Sequence, residues 1–393
     1  MINSIPSEDI QFINLKDHFE EDFQSVKNTL IGKIQNESVI IIGAAGSIGF
    51  AVLPLILSAI PRKLLLIDQD ENRLTLLLRL ARAKDWISAS TNLTVAAMDY
   101  GSIEARHLLK TFGKKPMILN FAAAKHVRSE RDAYGIAHLL RENFSKPWQL
   151  IEELNPSYYF GVSTDKAANP VNFMGASKAL HEQLLFLVQS SSARFANVAF
   201  SQGSLLDSWR YRLQWNEPLV VPQDVERFLI TSQDAARLCA ISISKASNSA
   251  VLIPNDKVVS SMTLLDVASR YLQAKNLKPI IFKDYQKARE LLSSTNINPN
   301  EWPLVLTNSD TPGEKKREEF LGEGEVATPL TLQTSQIIPR KTKIEDLHNI
   351  RQFIENDIYY RQKSSRSDLI KLIQDAISSF KPISGNEILD SRP

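Results

Sequence analysis

Short apolar runs alternate with stretches of helical period through the first half of the chain. Val39–Ile42, Lys63–Ile67, Leu93–Ala97, Met117–Phe121, Tyr158–Val162 and Arg194–Ala199 read as strands, because each is brief, rich in aliphatic or aromatic residues and bounded by polar or turn-forming ones. Between them, Glu71–Arg82, Ile103–Thr111 and Phe173–Gln189 carry apolar positions three and four apart, as in a helix with one buried stripe. This alternation predicts an α/β fold, a doubly wound parallel sheet of the Rossmann type covered by helices on both faces. After Phe200 the rhythm breaks. Trp209, Trp215, Pro218 and Pro222 lie in irregular sequence, and helical pattern resumes over Ser232–Ser244 and Ser261–Ala274. Thr295–Gly324 reads as loop with one short helix, and Ile344–Arg361 and Ser367–Phe380 as two terminal helices. The expected organisation is an extension over 1–37, a Rossmann domain over 38–200 to which part of 227–255 returns, a discontinuous smaller lobe over 201–345, and a helical extension over 346–393.

The 24 residues from Ser38 to Pro61 carry no charge and are long enough to cross a bilayer. Their internal pattern points elsewhere: a β-branched strand, a glycine-rich turn, then an apolar helix holding Pro54, as for elements buried in a parallel sheet. No membrane span is expected. Lys plus Arg number 46 against 44 Asp plus Glu, so the net charge of +2 implies no basic surface for nucleic acid. The single Cys239 excludes an intrachain disulfide framework and a cysteine-based zinc site, and no metal is expected. It fits a reducing cytoplasm. The acidic start, Met1 to Asp22, lacks the basic and apolar regions of a secretory signal.

Glycine changes the picture. The chain has 14, where a usage of about 7% would give roughly 28, yet Gly43, Gly46 and Gly49 fall together. They directly follow the first strand and open a helix, in the spacing GxxGxxG. The first lets the chain turn, the second lets backbone approach a pyrophosphate, and the third lets helix and strand pack closely. The helix N-terminus offers free N–H groups to phosphate. Gly43, Ala45, Gly46, Ser47, Ile48 and Gly49 are thus candidate dinucleotide contacts; a tight turn without ligand is the other reading. Asp68 ends the second strand, where a carboxylate accepts ribose hydroxyls and repels a 2′-phosphate. With no Arg at Gln69 or Asp70, NAD is favoured over NADP. Asp68 could instead cap the helix from Glu71. Asp99, followed by Tyr100, ends the third strand as an adenine contact or as a cap for the helix at Ile103.

The fifth strand runs into Ser163, Thr164, Asp165 and Lys166, which places a hydroxyl, a carboxylate and an amine at the carboxyl end of the sheet, where such folds bind ligands. Met174 and Lys178 follow, four apart on one helical face. On residue type alone Met174 is a core gap-filler and Lys178 a surface lysine.

The string Ser163-Thr-Asp-Lys-Ala-Ala-Asn-Pro-Val-Asn-Phe-Met-Gly-Ala-Ser-Lys178 resembles the signature of the UDP-N-acetylglucosamine 4,6-dehydratases of polysaccharide biosynthesis, the branch of the extended short-chain dehydrogenase/reductase superfamily with Met in place of the active-site Tyr. Gly43–Gly49, Ala122-Ala-Ala-Lys-His-Val127, Glu142-Asn143, Arg194–Val198, Arg227–Thr231 and Pro312-Gly-Glu-Lys315 with Glu318-Glu319 agree in order, over roughly residues 38–330. The resemblance implies a lyase with tightly bound NAD that oxidises sugar carbon 4, eliminates water across carbons 5 and 6, and reduces carbon 6. Thr164 would assist loss of the 4-hydroxyl proton, Asp165, held protonated, would protonate the departing 6-hydroxyl, and Lys166, held neutral, would take the carbon 5 proton. Met174 would stand where a proton relay stands in Tyr-dependent relatives, and Lys178 would bind the nicotinamide ribose. Ala122, Ala123, Ala124, Lys125, Asn143 and Ser163 would line the cofactor. Lys125, His126, Arg194, Asn197, Arg227 and Glu314 would meet a UDP-linked sugar. Self-association is implied as well. Thr311, the segment Ala199–Asp207, the spacing between His126 and Asn143, and Pro54 depart from the pattern, mostly on the sugar side. An epimerase of the same superfamily, or a non-catalytic nucleotide-sugar-binding protein, are the alternatives.

Overall fold

The computed structural model describes residues 17–125, 130, 132–195, 197–255, 258–259, 261–294, 297–308, 315–357 and 366–383. His126, Thr311 and Glu314 lie outside the described residues. The strands are β1 (Ser38–Ile42), β2 (Lys63–Asp68), β3 (Asn92–Ala97), β4 (Met117–Asn120), β5 (Tyr158–Thr164), β6 (Ser190–Phe195), β7 (Asn197–Val198), β8 (Leu219–Pro222), β9 (Glu226–Ile230), β10 (Ala250–Pro254), β11 (Ser261–Thr263), β12 (Lys278–Phe282), β13 (Glu301–Thr307), β14 (Thr328–Pro329) and β15 (Thr334–Ile337).

The main sheet has the order β14-β15-β10-β6-β5-β4-β1-β2-β3. It is parallel from β3 to β10, and β15 and β14 close it as antiparallel strands. The order 3-2-1-4-5-6 is that of a doubly wound dinucleotide-binding sheet, whose crevice opens where the winding reverses, between β1 and β4. Every residue of β1 is buried, as a central strand covered on both faces requires.

Three expectations need correction. The sixth strand lies over Ser190–Phe195, and Asn197–Val198 leaves it for a small sheet with β9 and β11. Ser190, Ser191 and Ser192 hid the strand, because their hydroxyls look polar yet are buried and spent: Ser190 Oγ donates to Leu185 O (2.6 Å), Ser192 Oγ to Gly161 O (2.6 Å), and Ser191 Oγ meets Ser242 Oγ (2.8 Å). The helix that begins at Phe173 ends at Gln183 and tightens into a 3₁₀ turn over Leu184–Phe186, so that the chain can re-enter the sheet at Ser190. Among the described residues of Thr295–Gly324 there is a strand, β13, parallel to β8 and β12, and no helix.

A second, smaller core gathers Trp209, Leu219, Val221, Tyr271, Leu272 and Leu304 around that three-stranded sheet. The helix Ser232–Lys245 crosses back to pack on the helices Glu20–Ile34 and Ser47–Leu57, and β10 then enters the main sheet. So do β14 and β15, which the sequence places in the smaller lobe. The helices Ile344–Gln352 and Arg366–Ala376 add Leu347, Ile350, Leu369 and Ile373 to the main core. Among the described residues no helix is long and apolar enough to cross a membrane.

Candidate active site

At the end of β1 the chain turns at Gly43, which has φ +72°; a Cβ there would lie 2.6 Å from Ala122 N. A Cβ at Gly49 would lie 2.2 Å from Gly43 O, and one at Gly46 3.2 Å from the same atom. Gly46 is the N-cap of the helix Ser47–Leu57 and has no side chain to close its first-turn amides. Those uncapped amides fit a pyrophosphate, and the three close approaches are why the turn itself needs glycine. Asp68 holds the turn from the side: Oδ2 accepts from Ala45 N (2.9 Å) and Oδ1 from Asp70 N (3.0 Å). It does not cap the next helix; Asp70 does, accepting from Arg73 N (3.0 Å). Arg73, unnoticed in the sequence, donates Nε to Ala45 O (2.9 Å). Ser47 Oγ accepts from Gln202 N (3.1 Å) and Lys125 Nζ donates to Gln202 O, so the segment after β7 lies over the turn. Ile48 is partly buried beside it. Asp99 is no cap either, since Ser102 fills that place; its exposed carboxylate pairs with Lys146 Nζ (2.7 Å). Tyr100 is buried and donates to Glu142 O (3.3 Å).

The loop after β4 is tied to the helix Phe173–Gln183 through Asn143. This side chain is buried in a π-helical turn, Arg141–Ser145, whose extra residue aims it inward. Asn143 Oδ1 accepts from Ala124 N (2.9 Å), and Nδ2 donates to Ala124 O (2.8 Å) and Ser177 Oγ (2.9 Å). Ala122 N donates to Asn120 Oδ1 (3.0 Å), and Ala123 is exposed at the mouth. Met174 is buried, and its backbone N–H donates to Glu130 Oε1 (2.8 Å). Lys178 is no surface lysine: it is 4% exposed and donates Nζ to Val162 O (3.0 Å). Burial pushes its amine down to about 8.

Thr164, Asp165 and Lys166 form one hydrogen-bonded unit at the carboxyl end of β5. Thr164 Oγ1 donates to Asp165 Oδ1 (2.7 Å), and Lys166 Nζ donates to the same oxygen (3.0 Å). Asn197 Oδ1 lies 3.5 Å from Lys166 Nζ. The expectation of a neutral Lys166 is not what this arrangement favours. Burial would lower its affinity for a proton, but Asp165 and Glu318 outweigh that and hold it above the ordinary lysine value. Glu318, whose Oε1 is 3.7 Å from Lys166 Nζ, is itself raised by burial.

Two more expectations change. Arg194 does not face a nucleotide: at 2% exposure it makes a two-pronged pair with Glu182 (2.7 and 2.6 Å), a second with Glu325 (2.6 and 2.8 Å), and donates to Phe320 O (3.1 Å). The Ser163 hydroxyl is spent on the same Glu182, donating to its Oε1 (2.6 Å). Arg227 is nearly buried and donates Nη1 to Lys315 O (2.9 Å) and Lys316 O (3.3 Å).

The model of one family, described as "polysaccharide biosynthesis protein", matches residues 39–339, from β1 to just past β15. The chain belongs to this family. Relatives include the capsular polysaccharide biosynthesis protein CapD of Staphylococcus aureus, 24% identical over 83% of this chain and 51% of that protein. The chain thus spans about half the length of that relative. An inverting UDP-N-acetylglucosamine 4,6-dehydratase of Campylobacter jejuni is 22% identical over 66% of this chain and 78% of its own. Among solved structures, Pen from Bacillus thuringiensis superposes with a TM-score of 0.58 at 20% identity, covering 78% of this chain and 90% of that one. A dTDP-glucose 4,6-dehydratase double mutant, DesIV from Streptomyces venezuelae with NAD bound, does so with a TM-score of 0.54 at 15% identity, covering 87% and 96%. At these identities the structures establish a shared fold.

The family span contains the glycine turn, the Thr164–Lys166 unit, Met174, Lys178 and Glu318. Sequence reasoning found the first four and left Glu318 as part of a motif string without a role. It missed Glu130, Glu182 and Glu325 entirely. Only Glu182 had a local signal, four residues after Lys178 on one helical face.

Proposed function

We propose that the protein is an NAD-dependent nucleotide-sugar 4,6-dehydratase acting in the cytoplasm on a UDP-N-acetylglucosamine-like substrate. The Thr164–Asp165–Lys166 unit beside the Met174/Lys178 helix carries this reading. The first-turn amides after Gly46 would hold the pyrophosphate and Asp68 the adenosine ribose; the Asp68 carboxylate favours NAD. A bound nicotinamide dinucleotide supplies the reversible oxidation at carbon 4 that acidifies the carbon 5 proton.

The chain's own groups do the rest. Thr164 Oγ1 leads the 4-hydroxyl proton toward Asp165. Asp165 takes that proton and becomes the acid, and Lys166, which shares a 3.0 Å hydrogen bond with it, acts as the base once its ammonium has given its proton to solvent. The pair then holds an amine and a carboxylic acid. The amine removes the proton from carbon 5, the carbon 6–oxygen bond breaks, and the acid protonates the leaving oxygen, so one water departs; hydride return to carbon 6 with a proton from the Lys166 ammonium to carbon 5 then completes the 4-keto-6-deoxy sugar. Met174 cannot relay a proton, which sets this site apart from Tyr-dependent reductases. The test is incubation of the NAD-loaded protein with UDP-N-acetylglucosamine and other nucleotide sugars. A product lighter by one water is expected, and Lys166→Ala should abolish it while NAD still binds. No water loss from any nucleotide sugar overturns the reading, and an isomer of unchanged mass replaces it with an epimerase.

A further inference from the structure

Lys166 is held from two sides. Asp165 precedes it on the 3₁₀ turn Asp165–Ala167, and Glu318 reaches it from a segment far along the chain. Both carboxylates are enclosed, Asp165 at 0% and Glu318 at 3% exposure. Asp165 Oδ2 and Glu318 Oε2 are buried without a hydrogen-bond partner among the described residues. An ionised carboxylate is costly to bury unless a cation offsets it, and the Lys166 ammonium lies between these two carboxylates.

The segment bearing Glu318 is fastened on either side. Arg227, on β9, donates to the carbonyls of Lys315 and Lys316. Arg194, on β6, donates to Phe320 O and pairs with Glu325. The Phe320 ring rests against Phe228 at 5.0 Å. Glu318 is therefore brought to Lys166 by the fold and is not a loose surface acid that happens to be near.

We propose that Glu318 is a positioning residue for the base: it anchors the Lys166 Nζ against Asp165 and, with Asp165, governs when that amine is charged. The proposal rests on Lys166 acting as the base. The charged groups facing the amine are Asp165 from its own turn, Glu318 and Lys315 from the fastened segment, and Arg227 from β9, with the neutral Asn197 from β7. Arg227 opposes the charge on Lys166 and the two carboxylates favour it, while Lys315 acts on Glu318. Without Glu318 the balance moves toward the neutral amine, and Lys166 loses its proton at lower pH.

The experiment reads Lys166 directly. The full-length protein is acetylated briefly with acetic anhydride across a pH series, and modification of Lys166 is followed by peptide mass spectrometry. In Glu318→Gln the reactivity midpoint should fall, with acetylation below the midpoint increased about tenfold, the change for one pH unit. Glu319→Gln serves as control, because Glu319 accepts an exposed hydrogen bond from Asn169 Nδ2 (3.0 Å), and should leave the midpoint in place. Glu318→Ser repeats the measurement if the glutamine variant does not fold. An unchanged midpoint in a folded Glu318 variant overturns the proposal. Turnover separates the two readings: a shifted midpoint with no dehydration by any form defeats the dehydratase assignment alone, whereas unshifted Lys166 in an active enzyme defeats the role of Glu318 alone. Where both hold, the acid limb of the kcat profile moves down with the midpoint.

Discussion

A lysine that serves as a base must give up its proton, yet Lys166 sits where its ammonium is favoured. The neighbouring Asp165 was visible in the sequence; the opposing carboxylate was not, because only the folded chain brings Glu318 to it. Lys178 behaves in the opposite way. Burial moves its pKa down to about 8, so its positive charge is present below that pH and lost above it. The rate of sugar conversion should therefore decline above about pH 8, and Lys178→Met should remove that descending limb along with most of the activity. His181 is a structural counterpart. It is buried, with Nδ1 on Asn143 O (2.8 Å) and Nε2 on the Tyr159 hydroxyl (3.3 Å), and burial pushes it down to about 3. A Cβ at Gly161 would lie 2.1 Å from its Nε2. The folded state binds this proton less readily than the unfolded chain, so the stability it confers is complete above about pH 6.5 and falls as pH drops toward 3. Denaturant midpoints should show a loss of up to about 1.4 kcal/mol per pH unit in that window. His181→Gln should flatten the slope.

At the scale of the element, the helix Phe173–Gln183 is buried along its entire length. Its sequence reads as amphipathic, with Ser177, Lys178, His181, Glu182 and Gln183 suggesting a wet face. Each polar group is instead spent inside: Ser177 on Asn143, Lys178 on Val162 O, Glu182 on Arg194, Gln183 on the backbone of Arg340 and Thr342. Periodicity finds such a helix, but it cannot supply partners that come from other strands and loops. The helix start was legible, since Asn172 caps it by accepting from Gly175 N (2.7 Å). Glu130 was not. Its carboxylate accepts from Phe173 N (3.0 Å) and Met174 N (2.8 Å), placing a negative charge on the positive end of the helix dipole. Glu130→Ala should cost about 2 kcal/mol in urea unfolding, since two buried N–H groups lose their acceptor.

For the whole molecule, the parallel sheet was readable through β5 because each of those strands is an apolar run of its own, separated by a helix, whereas β6 was misplaced because it opens on three serines. The antiparallel edge was not, since Thr334–Ile337 is short and mostly polar and takes its place by pairing with β10. The smaller lobe was legible only as a break in rhythm. The C-terminal segment reaches back to the reactive centre. Phe380 is fully buried against Phe173 at 5.7 Å, Lys381 N donates to Pro170 O (3.0 Å), and Ile383 N to Val171 O (3.0 Å). These contacts hold the loop between Lys166 and Met174. A chain ending at Ala376 should keep its far-ultraviolet circular dichroism, lose about 3 kcal/mol from the missing phenylalanine, and turn over substrate poorly.

The Arg194 junction also dictates an order of assembly. Glu182 precedes Arg194, but Phe320 and Glu325 follow it by 126 and 131 residues. Until that stretch has emerged from the ribosome, β6 carries a guanidinium with half of its counter-charge, in the strand beside the catalytic one. Glu318 arrives on the same stretch. The sheet can therefore collapse while the reactive centre is still incomplete, and a chain interrupted in synthesis before that point would be partly folded yet chemically silent.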